Sequence, residues 1–218
     1  MIRTYVLLLI AALSVSAINP GCKKHHKDKP TTLNLSPSPN PLELHLFGYL
    51  DFDGSDPNAP EIGAAAWTSG GSPIYMRAAL NFDLSTIPVT ATIQSAKLSL
   101  YSNPTPLNGN GSDANFGTDN SLLIQQITSP WSANTAKWTN QPITTATNQI
   151  VIPHTSQNQL DLLNLDVTQM VRDMVASASY GFFLVLQNEV IYTSRIFCSS
   201  KYSDGSKHPR LSVVYTSQ

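Results

Sequence analysis

The chain has 218 residues, of which 41% are hydrophobic, 8% aromatic and only 12% charged, and its polar character comes from 25 Ser, 19 Thr and 16 Asn. Helix-rich folds need Ala, Leu, Glu, Lys and Arg, so this composition excludes a helical bundle or coiled coil, while the length suits one all-β domain with a sizeable core. Residues 31–218 hold 8 basic and 13 acidic side chains, a balance that argues against nucleic acid as a partner.

The N-terminal segment has the pattern of a secretory signal. Residues 5–17 form an apolar run after Arg3, and this run is shorter than the roughly 20 residues that a membrane-spanning helix needs. Two processing sites fit the pattern. One is cleavage after Ala17, and the other is lipid attachment to Cys22, where Gly21 and the polar run that follows resemble the lipobox of bacterial lipoproteins.

Three segments are predicted: a signal peptide at residues 1–21 and a flexible polar tether at residues 22–41, which follow from the lipobox resemblance, and a single domain at residues 42–218, whose strand pattern, described below, predicts a β-sandwich. Several acyl chains on Cys22 would make attachment effectively permanent, because each buried methylene contributes roughly 0.8 kcal/mol. We therefore predict an exported protein that is lipid-anchored to the bacterial cell envelope, at the outer membrane or cell surface. The N-terminal lipid is its only predicted contact with a membrane.

Beyond the tether, short stretches of period-two alternation are separated by Pro, Gly, Asn and Asp. The clearest is residues 93–101, where Ala96, Leu98 and Leu100 share one face and Lys97 and Ser99 share the other. The predicted strands are residues 44–50, 62–68, 74–83, 93–101, 122–128, 161–166, 180–187, 194–199 and 210–216. The polar residues 102–121 are predicted to form an exposed loop.

One segment has helical periodicity instead. In residues 166–175 the apolar side chains recur at spacings of three and one, and Asp166 stands where it can cap the first turn. A single short helix among many strands, without alternation of strand and helix, predicts an all-β fold. We expect an antiparallel β-sandwich or jelly roll with one short crossover helix.

The motifs of common enzymes are absent from the sequence. There is no Gly-x-Ser-x-Gly string, no Gly-rich phosphate loop and no His-Glu-x-x-His. Cys198 lies in an apolar, strand-like stretch, which predicts a buried small hydrophobe and not a reactive thiol. We therefore expect a protein that is not an enzyme.

Several strings in a fixed order resemble the DNRLRE-type domains of secreted bacterial and archaeal proteins. These strings are residues 77–88, 93–101, 131–142, 165–168 and 180–186, and the closing pair 197–200 and 208–215. The resemblance covers roughly residues 60–216. It implies a β-sandwich similar to polysaccharide-binding modules, some of which bind alginate.

Aromatic side chains are the candidate sugar contacts, because their flat faces pack against the C–H-rich faces of pyranose rings. The candidates for carbohydrate binding are Trp67, Tyr49, Tyr75 and Tyr192. Trp131 and Trp138 are instead expected to pack an edge of the sandwich. An acidic polymer would also need cations, which Arg195, Lys201 or Lys207 would supply.

Two acidic stretches suggest calcium as a structural cofactor. Residues 51–58 offer hard oxygen ligands at alternating positions, although they lack the terminal Glu of an EF-hand. The predicted metal ligands are Asp51, Asp53, Ser55 and Asp56. A second, looser set is Asn110, Asp113, Asn115 and Asp119.

Together these features predict a non-catalytic cell-envelope lipoprotein whose β-sandwich binds polysaccharide. The alternative hypothesis is a structural or adhesive surface protein that contacts another protein. A third, less favoured hypothesis is an enzyme that cleaves polysaccharide. A row of exposed Trp and Tyr beside a groove would favour glycan, whereas a flat apolar patch of several hundred Å² would favour a protein partner.

Overall fold

The computed structural model describes residues 29–37, 43–49, 52–107 and 113–217. The predicted signal peptide and Cys22 lie outside these residues. Within the described residues there is no helix with the length and apolar character needed to cross a membrane. The elements in chain order are β1 (Thr31–Leu35), β2 (Glu43–Tyr49), β3 (Phe52–Asp56), β4 (Glu61–Ser69), β5 (Ser72–Leu80), β6 (Thr92–Leu100), β7 (Asn115–Phe116), β8 (Leu122–Ile127), β9 (Thr144–Ile152), β10 (Leu162–Asp166), α1 (Thr168–Ala176), β11 (Phe182–Leu186), β12 (Thr193–Cys198) and β13 (Arg210–Thr216).

The strands form two antiparallel sheets. The small sheet has the order β1-β13-β6-β10, and the large sheet has the order β7-β12-β4-β5-β11-β8-β9. Strand β2 pairs with the edge of β5 that lies opposite β4 and β11, and β3 pairs with β2. The predicted fold class, an antiparallel β-sandwich with one short helix, is therefore confirmed.

The main core lies between the two sheets and under the helix. The small sheet contributes the alternating side chains of β6 and β13, the large sheet contributes those of β4, β8 and β11, and α1 contributes Met170, Val171 and Met174. Burying a large aliphatic side chain stabilises the fold by roughly 1.5–3 kcal/mol. The period-two pattern of the sequence arises because alternate side chains of these strands are buried in this shared apolar layer.

Four strands were not predicted. Strand β1 lies in the segment that was assigned to the tether, so the domain begins ahead of residue 42. Strand β1 pairs with β13, and its Leu33 and Leu35 pack against the main core. The strand was not predicted because two apolar residues in a Ser- and Pro-rich segment are a weak signal for a strand. Strand β3 lies in the predicted cation loop, β7 in the predicted exposed loop, and β9 in a Thr-rich stretch.

The helix begins later than predicted. Asp166 is the last residue of β10, and its carboxylate accepts a hydrogen bond from the backbone N–H of Thr168 at 3.0 Å. Val167 occupies the N-cap position of α1. The apolar face predicted from the spacing is present, because Met170, Val171 and Met174 are all buried.

Candidate functional site

Trp67 stands near the end of β4 in a row of side chains that crosses three strands. Its register partner on β5 is Ile74, and Ile74 in turn pairs with Tyr49 on β2. Directly opposed residues of antiparallel strands point to the same face of a sheet. Two of the predicted sugar contacts, Trp67 and Tyr49, therefore share one face.

Trp67 meets two further rings from distant parts of the chain. Its ring centroid lies 5.3 Å from that of Tyr192 and 5.5 Å from that of Phe116, and both contacts are edge-on. Tyr192 is 51% exposed and Phe116 is 37% exposed. We refer to Trp67, Phe116 and Tyr192 as the aromatic cluster, and it presents apolar ring surface to solvent.

The pairing of β12 with β4 brings these rings together. Thr193 is the register partner of Ala66, so the preceding Tyr192 arrives beside Trp67. Tyr192 has a φ of 65°, a backbone conformation that a bulky residue rarely adopts. No sequence pattern indicated Phe116, because β7 is only two residues long and lies in a polar stretch.

One side of Trp67 lines a pocket of about 360 Å³, which we call the Trp67 pocket. Volumes of roughly 300–1,000 Å³ are typical of small-ligand sites. Its apolar wall is built from Phe47, Trp67, Ile74 and Met76. Its polar lining is His45, Asp56, Glu61, Thr68 and Ser69.

His45 is an unusual lining residue of this pocket, because its side chain is almost wholly buried and its Nε2 has no hydrogen-bond partner among the described residues. Burial lowers the pKa of His45 to about 4, so the imidazole is neutral at neutral pH. An unpaired polar nitrogen in a buried position costs free energy unless a ligand or water pairs with it. The sequence analysis did not single out His45, because a lone histidine among mostly apolar strand residues carries no motif.

Glu61 is the second buried polar group of the Trp67 pocket. Its Oε2 accepts hydrogen bonds from Asn103 Nδ2 at 2.8 Å and from the Leu107 backbone N–H at 3.0 Å. Burial raises the pKa of Glu61 above its usual value, and the two hydrogen bonds oppose that rise. Asp56 is exposed and accepts a hydrogen bond from the Asn58 backbone N–H at 2.8 Å.

The other side of the aromatic cluster lines a groove of about 500 Å³, which we call the Tyr192 groove. Its lining includes Phe116, Tyr192 and the polar residues Asp113, Asn115, Thr118, His154, Thr155, Ser156 and Asn158. Asn115 is buried, and its Oδ1 has no hydrogen-bond partner among the described residues. The Trp67 pocket and the Tyr192 groove adjoin, because Thr68 Oγ1 lies 3.5 Å from Tyr192 Oη.

The segment that carries Tyr192 is tied to the large sheet by an ion pair. Arg77 on β5 donates two hydrogen bonds to Glu189, each of 2.8 Å, and a third to Gln141 at 3.0 Å. Such a two-point contact fixes geometry as well as charge. Glu189 thereby positions residues 187–192 beside the aromatic cluster.

Tyr75 lies on the opposite face of the sheet, because its register partners are Gly48 and Ala66. Its ring stacks on Trp138 at 6.2 Å, and the Arg77 guanidinium lies 4.5 Å from the Trp138 ring centroid. Trp131 also packs on this face and donates a hydrogen bond from Nε1 to the Tyr180 carbonyl at 2.7 Å. The structure thus brings three of the four predicted tyrosine and tryptophan contacts to one face and separates Tyr75 from them.

The predicted calcium ligands are distributed over a strand. Asp51 lies outside the described residues, while Asp53, Ser55 and Asp56 belong to β3, so Asp56 points to the face opposite that of Asp53. Asp53 accepts hydrogen bonds from the Thr139 N–H at 2.9 Å and hydroxyl at 2.6 Å, and these hydrogen bonds lower its pKa. In the part of the chain that the structure covers, no three acidic, His or Cys side chains group closely enough to hold a metal. Calcium binding therefore stays a prediction.

The described residues of the second predicted cation set make hydrogen bonds or line the Tyr192 groove. Asn110 is outside the described residues, Asp113 accepts a hydrogen bond from Asn158 Nδ2 at 2.6 Å, and Asp119 accepts one from Ser121 Oγ at 2.6 Å. Asn115 lines the Tyr192 groove with Asp113. Asp113 and Asn115 thus contribute to the groove whether or not a cation binds.

The cations expected to serve an acidic polymer do not line either cavity. Arg195 is fully buried, and burial lowers its pKa to about 10. Lys201 and Lys207 lie in the connection between β12 and β13 and are absent from both linings. Cys198 is fully buried, and burial raises its pKa to about 11, which agrees with its predicted role as a packing residue.

Comparison with known proteins adds a family. The family model described as carbohydrate-binding module family 96 matches residues 65–215, which is more than two thirds of the chain. The matched range includes all three rings of the aromatic cluster. No curated protein matches the chain. The carbohydrate-binding character that the sequence resemblance implied is thus confirmed at the level of the family, whereas the DNRLRE assignment stays an interpretation.

Proposed function

The chain belongs to carbohydrate-binding module family 96, and from that premise we propose that its β-sandwich binds a polysaccharide chain at the aromatic cluster, without cleaving it. The observation that carries the proposal is the perpendicular contact of Trp67 with the half-exposed ring of Tyr192, placed between two adjoining cavities. Aromatic faces supply the apolar contact that sugar rings need, and the polar lining supplies the partners for their hydroxyl groups.

The site has the form of a continuous surface and not of one closed pocket. The Trp67 pocket and the Tyr192 groove are linked through Trp67, Thr68 and Tyr192. An extended glycan lying across the cluster contacts both cavities, whereas a single sugar fills only one. We therefore propose that affinity rises with the number of sugar units until both cavities are filled.

The rigid floor under Trp67 supports this assignment. Trp67 packs against a small apolar cluster of Ala65, Met76, Ala114 and Ile196, together with Phe47 and Ile74. A binding surface held by packed strands loses little conformational freedom when it meets its ligand. Such pre-organisation favours binding by aromatic stacking.

The test is binding of the purified full-length protein to a panel of polysaccharides by affinity electrophoresis, followed by calorimetry with oligosaccharides of increasing length. The informative variant is Tyr192→Asn, because Asn tolerates the positive φ while removing the ring. The matched control is Tyr101→Ala on the other sheet, where the tyrosine ring lies under Arg210. A reducing-sugar assay on the bound polysaccharide measures cleavage.

We expect saturable binding to at least one polysaccharide, a loss of at least tenfold with Tyr192→Asn, and no change with Tyr101→Ala. Release of reducing sugar would contradict the non-catalytic part of the proposal. No binding to any polysaccharide, with the fold intact by circular dichroism, would contradict the proposal as a whole.

We further propose that the protein is exported and anchored to the cell envelope through a lipid on Cys22. The support is the apolar run at residues 5–17 and the Gly21-Cys22 pair before a polar run. Labelling of the protein with a radioactive fatty acid, with Cys22→Ser as the variant, tests it. The label and the membrane association should both disappear in the variant, and a labelled variant would contradict the assignment.

A further inference from the structure

We infer that the aromatic cluster binds a single polysaccharide chain that turns between neighbouring sugars, as helical and buckled chains do, and that it does not bind flat crystalline surfaces. This inference rests on the proposed function of the aromatic cluster and specifies the shape of the ligand that the cluster takes. It is carried by the angles between the three rings and by the way in which the two cavities divide them.

The rings of the aromatic cluster share no common plane. The ring of Tyr192 makes an angle of 88° with that of Trp67, and the ring of Phe116 makes an angle of 62° with it. A sugar that packs on an aromatic face lies parallel to that ring. Two sugars that pack on Trp67 and Tyr192 are therefore nearly perpendicular to each other, so the chain that joins them must turn.

The two cavities place the rings against different parts of the ligand. Of these cavities, Trp67 lines the Trp67 pocket alone, whereas Phe116 and Tyr192 line the Tyr192 groove alone. The cavities meet where Thr68 Oγ1 lies 3.5 Å from Tyr192 Oη. A chain that fills both cavities passes around this junction, and it changes direction there.

The angle between Trp67 and Tyr192 is held by contacts on both sides. Tyr192 meets Trp67 edge-on, its Oη lies beside Thr68 Oγ1, and Glu189 in the same segment is paired with Arg77. Trp67 packs on the apolar cluster beneath it, which is formed by Ala65, Met76, Ala114 and Ile196. Bringing the two rings into one plane would break these contacts.

A flat ligand reaches only one of these rings at a time. Crystalline cellulose presents its sugar rings in one plane, and a ribbon-like β-1,4 chain keeps its ring faces parallel. Such a ligand can pack on Trp67 or on Tyr192 but not on both. The second aromatic contact is therefore available only to a chain that turns.

The one near-parallel pair of rings among the described residues is no platform for a flat ligand either. Tyr75 and Trp138 lie at 23° to each other. The Arg77 guanidinium lies over the Trp138 ring, 4.5 Å from its centroid, and Gly48 packs directly against the same ring. A flat surface therefore finds no pair of open, parallel rings there.

The test compares hexamers of equal length and equal charge that differ in shape. The glucose pair is cellohexaose, a flat β-1,4 ribbon, against laminarihexaose, whose β-1,3 linkages turn the chain. The uronate pair is β-1,4-mannuronate hexamer, a ribbon, against α-1,4-guluronate hexamer, a buckled chain. Calorimetry of the full-length protein measures each hexamer, and depletion by microcrystalline cellulose measures binding to a flat surface. The variant is Tyr192→Asn, and the control is Tyr101→Ala on the small sheet.

In at least one pair we expect the turning hexamer to bind at least tenfold tighter than the ribbon, and we expect no saturable binding to microcrystalline cellulose. Tyr192→Asn should lower this ratio, because the ribbon can still use the remaining ring of Trp67, whereas Tyr101→Ala should leave the ratio unchanged.

Three results overturn this inference and leave the proposed function standing: no preference in both pairs, a tighter ribbon in either pair, or saturable binding to microcrystalline cellulose. If no polysaccharide of the wider panel and no hexamer binds, the proposed function fails and the inference fails with it.

Discussion

Trp67 and Tyr192 lie with their rings perpendicular, at 88°, and with 5.3 Å between centroids, although 125 positions separate them along the chain. The contact follows from the antiparallel pairing of β12 with β4, in which Thr193 faces Ala66. A side chain on a sheet and a side chain on a loop thus form one surface. The position of Trp67 depends on the sheet register, and the position of Tyr192 depends on the loop before β12.

The first prediction concerns Trp67 itself. Trp67→Ala removes the ring that lines the Trp67 pocket and contacts Phe116 and Tyr192 of the Tyr192 groove, so affinity for the bound glycan should fall by at least tenfold, which corresponds to about 1.4 kcal/mol. Trp67→Phe keeps an aromatic face and should lose less affinity than Trp67→Ala. Calorimetry measures both variants, with urea unfolding to verify that each remains folded. Equal affinity of Trp67→Ala and the unmodified protein would exclude the ring from the site.

The second prediction concerns the ion pair that holds the Tyr192 segment. Glu189→Gln removes the charge partner of Arg77, a pair whose side chains are only 26% and 23% exposed. The free energy of unfolding should fall by about 1–2 kcal/mol, since hydrogen bonds between charged groups contribute more than neutral ones but partial exposure weakens them. Glycan affinity should fall severalfold, because Tyr192 is less firmly positioned.

A suitable control for Glu189 is Asp166→Asn, which breaks the exposed pair of Lys97 and Asp166 on the small sheet. That variant should keep its glycan affinity. Unchanged affinity in Glu189→Gln as well would show that the ion pair has no part in positioning Tyr192.

The third prediction concerns pH and His45. Burial lowers its folded-state pKa to about 4, below the value of 6.5 that applies in the unfolded chain. Between pH 6.5 and pH 4 the unfolded chain therefore binds more protons, and the stabilising contribution of neutral His45, up to about 3 kcal/mol, is lost as the pH falls. Above pH 6.5 this contribution is fully present.

The buried glutamates act in the opposite direction, because burial raises the pKa values of Glu43 and Glu61. Comparing the unmodified protein with His45→Gln removes their effect. As the pH falls from 6.5 to 4, the unfolding free energy of the unmodified protein should fall relative to that of His45→Gln, because Gln does not titrate. Parallel curves over that range would contradict the buried, neutral state of His45.

The fourth prediction concerns Gly48 under the Trp138 ring. A Cβ added at Gly48 would overlap Cε2 of the Trp138 ring, so Gly48→Ala must displace a ring that also stacks on Tyr75. Overpacking of this kind costs about 1–3 kcal/mol. Gly205→Ala is the control, because the nearest atom there is 3.7 Å away. Equal urea midpoints for the two variants would show that Trp138 is not held against Gly48.

The fifth prediction is calcium binding by residues 51–56, which the sequence suggests. If it occurs, calcium should raise the melting temperature above the value in EDTA, because a ligand that binds only the folded state stabilises it. Asp51→Asn should remove the increase, and Asp166→Asn on the small sheet should not. An unchanged melting temperature at millimolar calcium would refute the site.

The period-two pattern predicted nine of the strands to within a few residues, because alternation reports burial on one face of a sheet. Residues 93–101 and 210–216 are examples, and both face the main core. Strand β9 was not predicted because only one of its nine residues is buried, so its Thr-rich sequence carries little alternation. Strand β1 was not predicted because the Ser- and Pro-rich composition of residues 22–41 indicated a flexible tether, and two leucines alone did not indicate a strand.

The sequence by itself determined the all-β class, the single amphipathic helix and the candidate aromatic residues, since these depend on local spacing and composition. Only the tertiary structure decided which aromatics meet. Trp67 and Tyr49 share a row across three strands, Tyr192 joins them through the β12 register, and Tyr75 faces away. The burial of His45 and the placement of the cations away from the cavities were decided in the same way. These relationships depend on pairings between residues far apart in the chain, and a shift of one residue in any register would turn each side chain to the other face of the sheet.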